Sequence, residues 1–141
     1  MNRILIVDDA KTIRNILSKM LSFMGFEVAV ASSGNEGLNL FLKNSFDLVL
    51  TDLQMPGIDG WTLAFNIKEE SANTPVVLIT GEEKGDVMGK LEGSCVDSVV
   101  FKPFSLEDIE ETVQNLLHTG PLQRRTYPSF KGPGSPIRRW L

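Results

Sequence analysis

Short runs of apolar, often β-branched residues alternate five times with stretches in which apolar residues recur every three or four positions. Most of the runs are apolar at consecutive positions, which is typical of strands buried on both faces of a parallel sheet. The stretches between them have the period of amphipathic helices. The pattern predicts strands over residues 3–7, 27–31, 47–51, 75–80 and 97–101.

Signals for helix starts and ends fall where this alternation requires them. Ser33 with Glu36 and Ser105 with Asp108 have the spacing of a capping box, the aspartate being the weaker match, and Gly25 stands where the first helix should end. Five strand-then-helix units predict an α/β fold with a doubly wound, five-stranded parallel sheet, right-handed crossovers and five helices. Ligands of such sheets bind beyond the carboxyl ends of the strands, where the strand order reverses.

Three aspartates stand at strand ends on this predicted crevice. Asp8 and Asp9 follow the first strand and Asp52 follows the third, and the flavodoxin-like strand order 2-1-3-4-5 would place these two strands side by side. At separations of about 4–6 Å each pair would repel by roughly 1–4 kcal/mol, so the cluster requires a cation. Carboxylate oxygens suit Mg²⁺, which completes its shell with water and phosphate oxygens.

Two further strand ends add a hydroxyl and a positive charge. Thr80 closes the fourth strand before Gly81, and Lys102 follows the fifth strand before Pro103. Phosphoryl transfer mainly needs positioning and charge neutralisation, which these groups can supply. Asp52 is the natural nucleophile, because a carboxylate can accept a phosphoryl group as an acyl phosphate. Taken singly, each residue has an ordinary structural explanation, but the combination favours a functional site.

The motifs together resemble the receiver domain of two-component response regulators, in particular the stand-alone, chemotaxis-type receiver. The resemblance covers residues 3 to about 118, and its motifs occur in the family's order. They are Asp8-Asp9, then Asp52 with Met55-Pro56-Gly57 and Asp59-Gly60, then Thr80-Gly81, and finally Lys102-Pro103-Phe104.

The resemblance implies a role for each site residue. Asp52 would accept a phosphoryl group from a histidine kinase or phosphotransfer protein, and Thr80 and Lys102 would bind the phosphoryl oxygens. Mg²⁺ would be held by Asp9, Asp52 and the backbone carbonyl of Gln54, with Asp8 acting directly or through water. The resemblance also implies a cis Lys102-Pro103 bond. The protein would take part in its own phosphorylation and dephosphorylation without being a conventional enzyme.

Two outputs stay open at this point. In the first, phosphorylation changes the surface of the fourth helix, fifth strand and fifth helix, which then binds an unknown downstream protein or forms a weak dimer. In the second, the chain is a phosphotransfer intermediate or phosphate sink. A third possible function is that of a Mg²⁺-dependent phosphohydrolase of another α/β family. One such class has a second aspartate two residues beyond the first, where this chain has Gln54, which argues against that function.

One position departs from the family pattern. The family usually carries Tyr or Phe three residues before the motif lysine, and that residue is Val99 here. Either the surface switches by backbone and helix shifts, or another side chain such as Phe101 contributes. We predict that Phe101 lies on another face of the strand, which favours the first alternative. Glycines at 81, 85, 89 and 93 indicate either a mobile fourth helix or one in close contact with the sheet.

Charge divides the 141 residues into two predicted regions. Residues 1–119 carry nine Lys/Arg and eighteen Asp/Glu, a net charge of −9, whereas residues 120–141 carry five Lys/Arg and no acid. We therefore predict a receiver domain over 1–119 and a basic Pro/Gly-rich tail or linker over 120–141. About twenty residues are too few for a DNA-binding module, so DNA binding is unlikely. Without a signal peptide or membrane span, the expected location is the cytoplasm.

Overall fold

The computed structural model of this chain describes residues 2–117, in which five strands and five helices alternate. The strands are β1 (Arg3–Val7), β2 (Glu27–Ala31), β3 (Leu48–Asp52), β4 (Val76–Thr80) and β5 (Ser98–Phe101). The helices are α1 (Lys11–Phe23), α2 (Gly34–Lys43), α3 (Gly60–Glu70), α4 (Lys84–Leu91) and α5 (Leu106–Leu117). The predicted domain boundary at 119 and the predicted tail lie outside the described residues.

The strands form one parallel sheet in the order β2-β1-β3-β4-β5, which confirms the predicted fold. β1 and β3 are neighbours, with Ile4 opposite Leu48 and Val7 opposite Thr51. The connection from β1 runs outward to β2, whereas the next connection crosses back to β3. The strand order therefore reverses between β1 and β3, which places a crevice at their carboxyl ends.

Successive strand residues point to opposite faces, and each face has its own core. On one face, residues such as Leu5, Val49 and Leu78 pack with α2, α3 and α4. On the other, residues such as Ile6, Leu50 and Ile79 pack with α1 and α5. Because both faces are covered, the central strands are apolar at nearly every position, which explains their continuous runs in the sequence.

Two aspartates shift the predicted strand starts by one residue. Asp47 precedes β3, and its Oδ2 accepts a hydrogen bond from the Arg3 amide at 2.7 Å. Asp97 precedes β5, and its Oδ2 accepts one from the Val76 amide at 2.8 Å. A carboxylate that binds the first amide of the neighbouring strand marks the point at which strand pairing begins.

The helix ends follow the predicted signals. The Ser105 hydroxyl accepts a hydrogen bond from the Asp108 amide at 3.1 Å, and Asp108 Oδ2 accepts one from the Ser105 amide at 2.9 Å. Both hydrogen bonds of a capping box are therefore present, with aspartate in place of glutamate. At α2 the Ser33 hydroxyl caps the helix, but Glu36 binds the amide of Ser32 instead. Gly25 has a φ of 95° beyond the end of α1, a backbone conformation that favours glycine.

The fourth helix is the shortest, at eight residues, and it contributes only Val87 and Leu91 to the buried core. A Cβ added at Gly85, Gly89 or Gly93 would meet nothing within 4 Å. This open space excludes the explanation that these glycines permit a close helix–sheet contact. Within residues 2–117, no helix is both long and apolar enough to cross a membrane.

Candidate functional site

Three carboxylates meet at the carboxyl ends of β1 and β3, where the strand order reverses. Asp8 and Asp9 follow β1, and Asp52 is the last residue of β3. One oxygen from each lies within 4.8 Å of the others. Asp8 is 1% exposed, Asp52 is intermediate and Asp9 is exposed, so the cluster runs from the protein interior to solvent. The predicted convergence of the three residues is therefore present in the structure.

The buried carboxylate is held in a fixed orientation by the backbone around it. Asp8 Oδ1 accepts a hydrogen bond from the Ala10 amide at 2.8 Å, and the Asp8 amide donates to the Ala31 carbonyl at 3.1 Å. The second oxygen, Oδ2, is buried and accepts no hydrogen bond from any residue between 2 and 117. An oriented buried oxygen without a donor is a favourable position for a cation, because leaving it unpaired is costly.

One lysine lies close to two of the three acids. Lys102 directly follows β5, and its Nζ lies 3.4 Å from Asp52 Oδ1 and 4.0 Å from Asp8 Oδ2. The Lys102-Pro103 bond is cis, as the resemblance implied. The ammonium of Lys102 thus lies beside two of the three carboxylates, and the cluster keeps a net negative charge.

The pKa values of Asp8 and Asp52 reflect this excess of negative charge. Burial raises the pKa of Asp8, and the hydrogen bond from Ala10 and the charge of Lys102 oppose that rise only in part. Burial also raises the pKa of Asp52, the negative charge of Asp8 raises it further, and Lys102 lowers it. In both cases the ionised form lacks positive charge, which a divalent cation would supply.

The donor set fits a hard cation such as Mg²⁺. All three convergent side chains offer carboxylate oxygens, and one of those oxygens, Asp8 Oδ2, is buried and accepts no hydrogen bond among the described residues. Gln54 is exposed and lies two residues beyond Asp52, in the loop that precedes α3. Its carbonyl as a fourth ligand stays a prediction, as do the individual roles of the three aspartates.

Thr80 stands at the same edge of the sheet, at the end of β4. Its side chain is buried, and its hydroxyl oxygen accepts a hydrogen bond from the Glu82 amide at 3.0 Å. Its carbonyl accepts from the Lys102 amide at 2.8 Å, which ties the two strand ends together through their backbones. The hydroxyl keeps its proton to donate, because the bond to Glu82 uses only an acceptor position.

The start of α3 packs directly beneath Asp52. A Cβ on Gly60 would lie 2.6 Å from the Asp52 carbonyl oxygen and 2.6 Å from Leu78 Cδ2. Asp59 caps the helix by accepting from the Thr62 amide at 2.9 Å. The Asp59-Gly60 pair therefore holds the end of β3 against the start of α3, a positioning role that its place in the motif alone did not define.

Sequence reasoning missed one residue beside the site. Arg14 lies in the first turn of α1, and its Nη1 donates to the Asp8 carbonyl at 2.9 Å. Its charge also lowers the pKa of Asp8. The sequence offered one indication of this contact: Arg14 stands six residues after Asp8, where the first turn of the helix passes back over the end of the strand.

The prediction that Phe101 and Val99 lie on different faces of β5 is wrong. Residues two apart in a strand share a face, and both side chains pack against the core cluster on the α2, α3 and α4 side. Val99 is 5% exposed, whereas Phe101 is partly exposed and pairs in register with Thr80. Lys84 Nζ, at the start of α4, lies 5.7 Å from the centre of the Phe101 ring. An aromatic ring therefore does link β5 to α4, at a different position from that of the family pattern.

Comparison with known proteins agrees with this architecture. Residues 4–114 match the family model described as "Response regulator receiver domain". A probable transcriptional regulator, ycf27, from Cyanidium caldarium is 37% identical over 82% of this chain and 46% of its own length. The response regulator MprA from Mycobacterium sp. (strain KMS) is 33% identical over 99% of this chain and 57% of its own length.

Solved receiver structures superpose on most of the chain. A receiver domain protein from Clostridium thermocellum has a TM-score of 0.76 at 31% identity, covering 84% of this chain and 95% of its own. Response regulator TrrA from Thermotoga maritima, solved in complex with Mg(2+)-BeF, has a TM-score of 0.75 at 33% identity, covering 83% of this chain and 100% of its own.

The chain spans about half the length of the curated relatives it matches. The region matched by the family model includes every strand residue except Arg3, together with the acidic cluster, Thr80 and Lys102. On the family match over residues 4–114, with the fold and the strand-end motifs in agreement, this chain belongs to the response regulator receiver domain family of two-component signalling.

Proposed function

We propose that Asp52 is the phosphoacceptor of a phosphorylation-dependent signalling switch. The observation that carries this proposal is the meeting of Asp8, Asp9 and Asp52 at the strand-order reversal, with Lys102 Nζ 3.4 Å from Asp52. The Asp52 side chain is partly exposed at this edge of the sheet, and it has a positive charge beside it. The donor would be a histidine kinase or phosphotransfer protein, and the expected location of the reaction is the cytoplasm.

In the proposed reaction, a carboxylate oxygen of Asp52 attacks phosphorus as the bond from phosphorus to the donor's histidine nitrogen breaks. Lys102 is placed to neutralise the equatorial oxygens of the phosphoryl group, and the Thr80 hydroxyl can donate to one of them after a small movement. Bound Mg²⁺, held by Asp8, Asp9, Asp52 and the Gln54 carbonyl, would supply charge neutralisation. The resolved TrrA complex with Mg(2+)-BeF supports this assignment by similarity.

Phosphorylation with a small donor tests the proposal. Incubating the protein with acetyl phosphate and Mg²⁺ should add one phosphoryl group per chain, detected by intact mass, and Asp52→Asn should abolish the addition. Asp59→Asn is the matched control, because asparagine also caps helices and residue 59 lies outside the cluster. Labelling of the Asp52→Asn protein at the wild-type level would overturn the assignment.

For the output, we propose that the signal leaves through Phe101 and α4 toward a protein partner. Thr80 pairs with Phe101 across β4 and β5, and Phe101 contacts Lys84 at the start of the weakly packed α4. A shift of Thr80 toward a phosphoryl group would therefore act on the ring and on the first turn of the helix. The acidic surface of residues 1–119 disfavours contact with nucleic acid, although the relatives' names connect them with transcription.

The second candidate function, a phosphotransfer intermediate or phosphate sink, is favoured by the buried valine at position 99. Amide hydrogen exchange over residues 81–104, with and without beryllofluoride and Mg²⁺, separates the two functions. A binding switch requires slower or faster exchange in α4, whereas unchanged exchange together with a short acyl-phosphate lifetime would favour the sink.

A further inference from the structure

A cavity of about 290 Å³ opens between α3 and the end of α4, away from the acidic cluster. Its lining comes from α3, from the last turn of α4 and from the segment between α4 and β5. The lining residues are Trp61, Phe65, Lys90, Gly93, Ser94 and Cys95. None of the three clustered aspartates lines the cavity, nor does Thr80 or Lys102, so it is separate from the site described above.

Two aromatic rings form one wall of this cavity. Trp61 and Phe65 are four residues apart in α3, and this spacing places them side by side on one face of the helix. Trp61 is partly buried against the core, whereas Phe65 is 53% exposed. The wall is therefore an apolar surface that is open to solvent and that a ligand with an apolar ring would cover.

The wall beyond α4 is fixed by hydrogen bonds. The amide and the hydroxyl of Ser94 both donate to the Leu91 carbonyl, at 3.1 and 2.8 Å, and the same hydroxyl accepts from the Val96 amide at 3.1 Å. A Cβ added at Gly93 would meet nothing within 4 Å, so the space in front of this residue is open. The cavity is thus already formed, and a ligand would not have to order this segment in order to bind.

The charge of the lining favours an anionic group. Lys90 is exposed and forms no ion pair with any acid of residues 2–117, and the lining contains no acid. The Ser94 hydroxyl already donates and accepts within its own segment, and the Cys95 thiol is only a weak donor. The Lys90 ammonium is therefore the main polar group that this lining offers to a ligand.

We propose that this cavity binds a small aromatic carboxylate, with its ring on Trp61 and Phe65 and its carboxylate toward Lys90. Ligand sites commonly have volumes of about 300–1,000 Å³, so a cavity at the lower limit suits a molecule with one ring system. A molecule held there contacts α3 and the end of α4 together, and so restrains the helix that has the fewest buried residues. The inference is independent of the chemistry proposed at Asp52.

Three probes that share one ring but differ in charge test the proposal. Indole-3-acetate is an anion, indole-3-acetamide is neutral and tryptamine is a cation. Titrated into the isotope-labelled full chain, indole-3-acetate should cause saturating amide shifts centred on residues 61–65 and 90–95, with a dissociation constant on the order of 0.1–1 mM. The amide should bind about threefold more weakly, and tryptamine more weakly still. Absent saturation, equal affinities for the three probes, or shifts centred on Lys102 would overturn the proposal.

Two pairs of matched variants test the cavity itself. Gly93→Leu fills it and should weaken indole-3-acetate binding at least tenfold, whereas Gly89→Leu adds the same side chain in open space outside the lining and should not. Lys90→Gln should remove the preference for indole-3-acetate over its amide, and Lys84→Gln, at the other end of α4, should leave that preference intact. Equal effects within either pair would contradict the proposed site.

A second copy of the chain is the alternative occupant of the exposed rings. Amide shifts of residues 61–65 and 90–95 that change on dilution, without any probe, would show that two chains meet there and would overturn the proposal. Spectra that do not change on dilution, together with saturable binding of indole-3-acetate, would support it.

Discussion

Among the individual residues of the site, three carboxylates are held close together, and their repulsion lowers the stability of the folded state. Asp8 is almost fully buried, and its Oδ2 receives no hydrogen bond within residues 2–117. Burial raises the pKa of Asp8 and of Asp52, and the charge of Asp8 adds to the rise at Asp52. Such groups favour the folded state only when protonated, so at neutral pH they oppose folding until a cation binds.

We expect Asp8→Asn to stabilise the cation-free protein at pH 7 by about 1 kcal/mol, because it removes a buried charge and its repulsion of Asp52. Asparagine keeps the oxygen that accepts from Ala10. In the wild type, the free energy of unfolding should fall as pH rises from the ordinary aspartate pKa through the raised values. Urea denaturation at several pH values without divalent cations measures both effects. A destabilised Asp8→Asn protein at pH 7 would contradict this account.

The glycine beneath Asp52 is a second residue-scale test. Gly60→Ala places a methyl group 2.6 Å from the Asp52 carbonyl oxygen, so the start of α3 must shift. We expect a loss of roughly 1–3 kcal/mol in the free energy of unfolding and slower phosphorylation. Thermal unfolding and the labelling rate with acetyl phosphate report the two effects. Wild-type values for both would show that α3 does not position Asp52.

At the scale of elements, α4 is the helix with the weakest support. It has eight residues, two of them buried, and its N-cap residue makes no side-chain capping bond. Its two interior glycines face open space, so they lower helix stability without allowing closer packing. A helix held this weakly is the element that a small change at Thr80 can move most easily.

Gly89→Ala should therefore raise the free energy of unfolding by about 0.5–1 kcal/mol, in contrast to the loss expected at Gly60. The same substitution should slow amide exchange in α4 and reduce the change that beryllofluoride causes there. Exchange measured by mass spectrometry tests both statements. Destabilisation by alanine would mean that residue 89 needs a conformation or a contact that the structure does not show.

The contact between Phe101 on β5 and Lys84 on α4 links the sheet to the weakly supported helix. Phe101→Leu keeps an apolar side chain but removes the contact with Lys84, which is worth about 0.5–1 kcal/mol at a partly exposed position. We expect phosphorylation to continue while the exchange response of α4 to beryllofluoride decreases. Phe104→Leu is the control, because Phe104 packs on the opposite face of the sheet. An unchanged α4 response in Phe101→Leu would exclude the ring from the signal route.

At the scale of the whole molecule, charge couples the site to stability. The cluster brings three carboxylates against one ammonium, so a divalent cation should bind the folded chain far more tightly than the unfolded one. Mg²⁺ at 100 times its dissociation constant would add about 2.7 kcal/mol to the free energy of unfolding. The urea midpoint should rise with Mg²⁺ in the wild type and less in Asp8→Asn. Equal shifts in both proteins would place the cation elsewhere.

The fold, and the strand ends at which the acidic cluster forms, could be predicted from the pattern of residues along the chain. Consecutive apolar runs can be satisfied only by strands covered on both faces, and five such runs separated by amphipathic helices lead to one parallel sheet. In a parallel sheet the carboxyl ends share one edge, so residues 8, 9, 52, 80 and 102 could be placed together from their positions after strands. The predicted starts of β3 and β5 were one residue too early. Whether Asp47 and Asp97 pair as strand residues or instead bind an amide of a neighbouring strand depends on where that strand lies.

The contacts around these residues depend on how the elements pack and could not be predicted from the sequence. The ion pair between Lys102 and Asp8 Oδ2, the hydrogen bond from Arg14 and the packing of Gly60 under Asp52 each join groups that are distant in the chain or set by side-chain rotamers. Empty space around the α4 glycines and the contact between Lys84 and Phe101 likewise depend on how a helix lies against a sheet. Periodicity reports which side of an element is buried, whereas distances between elements follow from packing the whole core at once.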